Sequence, residues 1–169
     1  MSGLVGFLSF PVIAVAACLL ARMWPNRMRR ASRGLALVNG LALLFIMATG
    51  WIYRAGPAAQ VHRWLPHGLL IADWSAIPLA IGETVARPRG RLLTTAARAA
   101  GLLSLLGVVF LGSITGYLGP SQVQVDAMSL LRFQVLHYYV FPGMALGLIL
   151  WWYHDKAAED MPQDVAKHH

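Results

Sequence analysis

Apolar residues run along this chain in five long blocks, from Gly3 to Ala21, Gly34 to Tyr53, Leu65 to Ala86, Ala99 to Leu118 and Phe133 to Tyr153. Short polar connections separate them. A helix needs about 20 apolar residues to cross a hydrocarbon core of roughly 30 Å, and each block has about that length. Lipid offers backbone amides no partner, so spanning segments must be helices or closed barrels. Barrel strands would alternate in polarity over about ten residues, which these blocks do not. The chain therefore reads as an all-α, polytopic membrane bundle of about five transmembrane helices in residues 1–155, with a polar tail at 156–169. No internal repeat, low-complexity tract or second domain stands out.

Composition agrees. Hydrophobic residues make up 57% of the chain and charged residues 12%, about half the charged share usual in soluble domains, and the mean hydropathy is +0.57. The net charge of +7 does not imply a nucleic-acid partner, because the basic residues sit in the connections, where they set topology. Arg22, Arg27, Arg29, Arg30 and Arg33 follow the first block, and Arg87, Arg89, Arg91 and Arg98 follow the third. The second connection holds only Arg54 and Arg63, and the fourth only Arg132. The positive-inside rule then predicts an N-terminus outside and a cytoplasmic tail carrying Lys156 and Lys167, in a bacterial inner membrane. A signal peptide carries its positive charge ahead of the apolar run. Here the arginines come after it, so the first block is expected to be a retained helix.

The one thiol, Cys18, rules out an internal disulfide, an iron–sulfur set and covalent haem attachment. No span holds a Schiff-base lysine, and no P-loop or Ser/His/Asp grouping is visible. What remains are costly polar residues inside the blocks: Asn39, His67, Asp73, Glu83, His137 and His154. Counting inward at 1.5 Å per residue puts His67 within a turn of the outer surface, Asp73 about 12 Å deep and His137 about 6–10 Å deep. His67 and His137 thus lie on two helices in the same outer half. Two neutral imidazoles facing across a bundle are what a b-type haem iron needs.

Gly112, Gly116, Gly119, Gly143 and Gly147 would let a flat macrocycle approach the backbone, although their Gly-xxx-Gly spacing reads first as helix packing. His62 reads as an interfacial residue without a ligand, and His154 as the end of the last span. Pro66 and Pro78 interrupt the third block. Asp73 reads either as a partner of a ligand histidine or proton acceptor in quinone chemistry, or as an internal hydrogen-bond partner of Arg132 or Tyr117. Glu83 is expected to reach the arginines at 87, 89 and 91. The tryptophans and tyrosines near the block ends read as interfacial belts.

The segment Arg132-Phe133-Gln134-Val135-Leu136-His137, with Pro142 five residues on, resembles the Arg-Phe-x-x-Leu-His-x-x-x-x-Pro segment of cytochrome b from quinol-oxidising bc complexes. Thr115-Gly116-Tyr117-Leu118-Gly119-Pro120-Ser121-Gln122 is similar to that family's Thr-Gly-Tyr-x-Leu-Pro-Trp-x-Gln turn. The resemblance implies that His137 ligates a haem near the outer surface, with Arg132, Tyr117 and Gly116 around it. The family pairs its ligands about 14 residues apart on each helix. That position after His137 is Trp151, so one haem is expected rather than two.

The resulting expectation is an electron-transfer subunit of an oxidoreductase complex. It would hold one haem b between His67 and His137, possess a quinone site and act between quinol and an external electron carrier. Two other classes stay open: a cofactor-free accessory subunit packed against other membrane subunits, and a small transporter or proton-handling protein working through Asp73.

Overall fold

A computed structural model of the 169-residue chain describes residues 2–52, 57–87, 92–118 and 127–158. These form α1 (Ser2–Met23), α2 (Pro25–Ile52), α3 (Pro57–Ala86), α4 (Leu92–Leu118), α5 (Ala127–Val135), a π turn (Leu136–Val140) and α6 (Phe141–Ala158). The last three run on as one rod. Five helical stretches are long and apolar enough to cross a membrane, and no strand occurs among the described residues. That is consistent with an integral membrane protein.

The helices outrun the apolar blocks. α2 takes in the arginine cluster from Pro25, and α3 starts at Pro57, since proline in a first turn forfeits no internal hydrogen bond. α6 continues to Ala158, so residues 156–158, expected in the polar tail, are helical. The remainder of that tail lies outside the described residues.

Inward positions recur every three or four residues, as a helix buried on one face requires. On α2 they are Ala36, Asn39, Leu43 and Ile46; on α3 Leu69, Asp73, Ala76 and Ala80; on α4 Leu102, Leu105 and Val109; on α6 Ala145, Ile149 and Trp152. These stripes meet in a four-helix ring. α2 and α4 each touch both α3 and α6, which places α3 diagonally opposite α6.

α1 stands outside the ring against α3. A Cβ at Gly82 of α3 would meet the Ala14 carbonyl and lie 2.8 Å from the Ala17 Cβ. The Trp74 indole donates to the Gly6 carbonyl at 3.0 Å. The opposite face of α1 exposes Val5, Phe7, Val12, Val15 and Leu19, an apolar surface suited to lipid.

The two halves of the ring follow one plan. α2–α3 and α4–α6 are hairpins with the same course. Ala36, Asn39, Leu43 and Thr49 correspond at one constant offset to Leu102, Leu105, Val109 and Thr115, all buried. Leu69, Asp73, Ala76 and Ala80 correspond at another to Ala145, Ile149, Trp152 and Lys156, again all buried. Few identities are retained between them, which is why no repeat stands out in the sequence.

The end of the bundle that carries the arginine-rich α1–α2 turn is closed by polar and aromatic contacts. Trp152, 1% exposed, donates from its indole to Ser32 Oγ at 3.2 Å. Lys156 forms a buried ion pair with Glu83 and reaches Thr84 Oγ1 at 3.4 Å. Arg98 pairs with Asp155 at 2.9 Å, and Arg33 lies over the Tyr153 ring. The expected partners of Glu83 are thereby corrected. Glu83 continues the inward stripe of Ala76 and Ala80, whereas Arg87 lies beyond the end of α3 and is exposed. Arg89 and Arg91 lie outside the described residues.

Candidate functional site

At the other end of the ring the four helices leave a cavity of about 1150 Å³, bordered by Leu43, Ile46 and Gly50 of α2, His62 and Leu69 of α3, Val109, Gly112 and Gly116 of α4, and His137, Phe141 and Ala145 of the last rod. It exceeds the usual range of roughly 300–1,000 Å³ for small-molecule sites. Its floor is apolar. Its mouth is polar, with Arg63 and Gln134 at the rim.

Two histidines face each other there from the diagonal helices. The rings of His62 on α3 and His137 on the π turn have centroids 6.2 Å apart and planes inclined by 81°. Each leans on a glycine of the neighbouring helix. A Cβ at Gly50 would lie 2.7 Å from His62 Cε1, and one at Gly116 would lie 2.5 Å from His137 Cε1. Each ring also bonds the carbonyl one turn before that glycine, His62 Nδ1 to Ile46 at 2.9 Å and His137 Nδ1 to Gly112 at 3.0 Å.

A carbonyl only accepts, so both Nδ1 atoms carry the proton and both Nε2 atoms keep a lone pair. Neither Nε2 has a hydrogen-bond partner among the described residues. This is the arrangement that orients a ligating histidine: one nitrogen tied to a backbone acceptor, the other left for a metal.

The supports repeat as well. Thr49 Oγ1 donates to the Phe45 and Ile46 carbonyls, and Thr115 Oγ1 to those of Leu111 and Gly112. One residue more separates His137 from Ala145 than separates His62 from Leu69. The π turn absorbs that extra residue, as single π turns inserted in α-helices do. His137 and the buried stripe of α6 thus both point inward.

His67 does not make this pair. Five residues along a helix turn a side chain by about 140° relative to His62, so the two cannot share a face. The His67 ring folds back on α3, where Nδ1 donates to the Arg63 carbonyl at 3.0 Å and the ring rests near Trp64 at 5.8 Å. It borders only the cavity rim and is exposed.

Of the other expected residues, Gly116 is in the site as the cradle of His137, and Arg132 is exposed on α5. The Tyr117 side chain lies outside the described residues. Asp73 is buried, with no hydrogen-bond partner for either carboxylate oxygen among the described residues, so the expected bond to Arg132 is not made.

Among the described residues no group of three or more His, Cys, Asp or Glu side chains could hold a metal ion. Two imidazoles alone fall short of the three or four protein ligands typical of zinc. They do suit a metal that arrives with its own equatorial donors. His62 and His137 would be the residues to hold such a group, their rings lying 6.2 Å apart across the cavity. The glycine cradles, the apolar floor and the polar mouth beside Arg63 are compatible in size and polarity with a flat, partly acidic macrocycle such as haem.

No family model, no curated protein and no solved structure matches the chain.

Proposed function

We propose that this chain is a b-type membrane cytochrome with one haem, an electron-transfer subunit that takes electrons from quinol in the bilayer and passes them to an acceptor outside it. The observation that carries this reading is the His62–His137 pair, with both Nδ1 atoms tied to backbone carbonyls and both Nε2 atoms free. A haem between them would supply one-electron oxidation and reduction. The chain's own residues do the rest. The carbonyls of Ile46 and Gly112 fix each imidazole in the ligating tautomer, Gly50 and Gly116 leave room for the rings, and the apolar floor excludes water.

Two further features support the donor and the direction. Beside the histidines, between α2 and the last rod, a side opening of about 240 Å³ is lined by Gly50, Trp51, Tyr138 and Tyr139. The rings of Trp51 and Tyr139 meet there at a centroid distance of 6.4 Å and give the opening an aromatic wall. The arginine distribution favours the histidine end on the outside. At the opposite end Trp152 and the Glu83–Lys156 pair fill the ring, which favours one haem over two.

The test is the haem content of the purified chain in mild detergent. One b-type haem per chain is expected, with a reduced-minus-oxidised α-band near about 560 nm. Well-folded protein with no band would overturn the reading and leave an accessory role in a larger membrane complex.

A further inference from the structure

The histidine pair leaves Asp73 unexplained. It lies in the middle of α3 with 0% exposure, and neither carboxylate oxygen has a hydrogen-bond partner. Its place is specific. Leu69 and Leu43 border the cavity on α3 and α2, and Asp73 and Asn39 follow them one turn further into the bundle. This polar layer lies about 6 Å below the cavity floor, counted along the helix axes. Asn39 is the polar side chain that faces Asp73. In the other hairpin the corresponding positions are Leu105 and Ile149, both buried and apolar, so packing at this level does not require a polar pair.

Among the described residues no protein cation meets the carboxylate. α2 brings only the neutral amide of Asn39. α4 has no titratable residue between Arg98 and Tyr117, α6 none between Phe141 and Leu150, and the only one inside α1 before Arg22 is Cys18. On α3 itself His67 is bonded to Arg63, and Glu83 is paired with Lys156. A carboxylate this deep needs either a positive charge or a proton. The one positive charge that the histidine site would bring is that of oxidised haem: iron(III), a dianionic porphyrin and two neutral imidazoles sum to +1, and reduction removes it.

Resting on the haem reading above, we propose that Asp73 is the proton-binding group linked to the haem, taking up one proton when the iron is reduced and releasing it on oxidation. One electron enters from the donor and one proton enters from water to the Asp73 carboxylate, so the buried charge is unchanged. The Asn39 amide is suited to both states, because an NH₂ can donate to an ionised carboxylate and an amide carbonyl can accept from a protonated one.

The haem midpoint potential, titrated against pH from about 6 to 8, tests this directly. In the wild type the reduction equilibrium constant should fall about tenfold per pH unit, which is about 59 mV per unit for a one-electron couple. Asp73→Asn, which keeps the shape of the neutral acid, and Asp73→Leu, which copies the apolar layer of the other hairpin, should both keep the haem spectrum and give a flat profile. A flat wild-type profile, or a slope that persists in either variant, would overturn the assignment. A wild-type chain without the haem band would instead overturn the underlying reading.

Discussion

Gly116→Leu should abolish haem binding while the chain still folds and inserts. The site at Gly116 has no room for a side chain, because even a Cβ would lie 2.5 Å from His137 Cε1 and 3.1 Å from both ring nitrogens. The imidazole would have to leave, which breaks its bond to the Gly112 carbonyl and turns Nε2 out of line with His62. Overpacking of this kind costs about 1–3 kcal/mol, less than the stability of a typical fold, so loss of haem should exceed loss of protein. Gly107→Leu is the matched control. It lies on the same helix, and a Cβ there meets nothing within 4 Å, so its haem content should equal that of the wild type. Equal haem in Gly116→Leu would show that the glycine is ordinary helix packing.

The largest effect on stability is expected at the other end. In the Glu83–Lys156 pair both side chains are 3% exposed, and removal of one partner leaves a charge stranded in the bundle. Lys156→Met should therefore destabilise the protein by about 3–5 kcal/mol. The double variant Glu83→Gln with Lys156→Met should recover most of that loss, because a neutral buried pair has no charge to strand. Unfolding in mixed detergent measures both. An unchanged midpoint in Lys156→Met would show that the pair is hydrated and contributes little.

Much of this fold is legible in the sequence because lipid enforces a simple rule. Five apolar blocks of spanning length imply five helices, and each block coincides with one of the long helical stretches among the described residues. His137 is legible for the same reason, as a polar residue well inside a span. Its partner is not. An apolar count begins the third span at Leu65, which leaves His62 among the connecting residues and makes His67 the apparent ligand. The signals for His62 are finer: Pro57 as a helix start, and Thr49-Gly50-Trp51 answering Thr115-Gly116-Tyr117 one hairpin later.

The π turn is also silent in the sequence. It becomes necessary only when the spacing from histidine to buried stripe is compared between the two hairpins. Glu83 misleads through proximity, since nearby arginines look like its partners until the helix shows which face it occupies. Lys156 misleads in the opposite way. Its charge suggests a solvated tail, yet its position continues the stripe of Ile149 and Trp152.

The pairing of His62 with His137 is tested most directly by the reduced-minus-oxidised spectrum of three variants purified beside the wild type. His62→Ala and His137→Ala should each lose the six-coordinate b-type band, and His67→Ala should keep it at wild-type intensity. A band that survives in His62→Ala and vanishes in His67→Ala would contradict the pairing and return the iron to the ligand that the apolar pattern alone suggests.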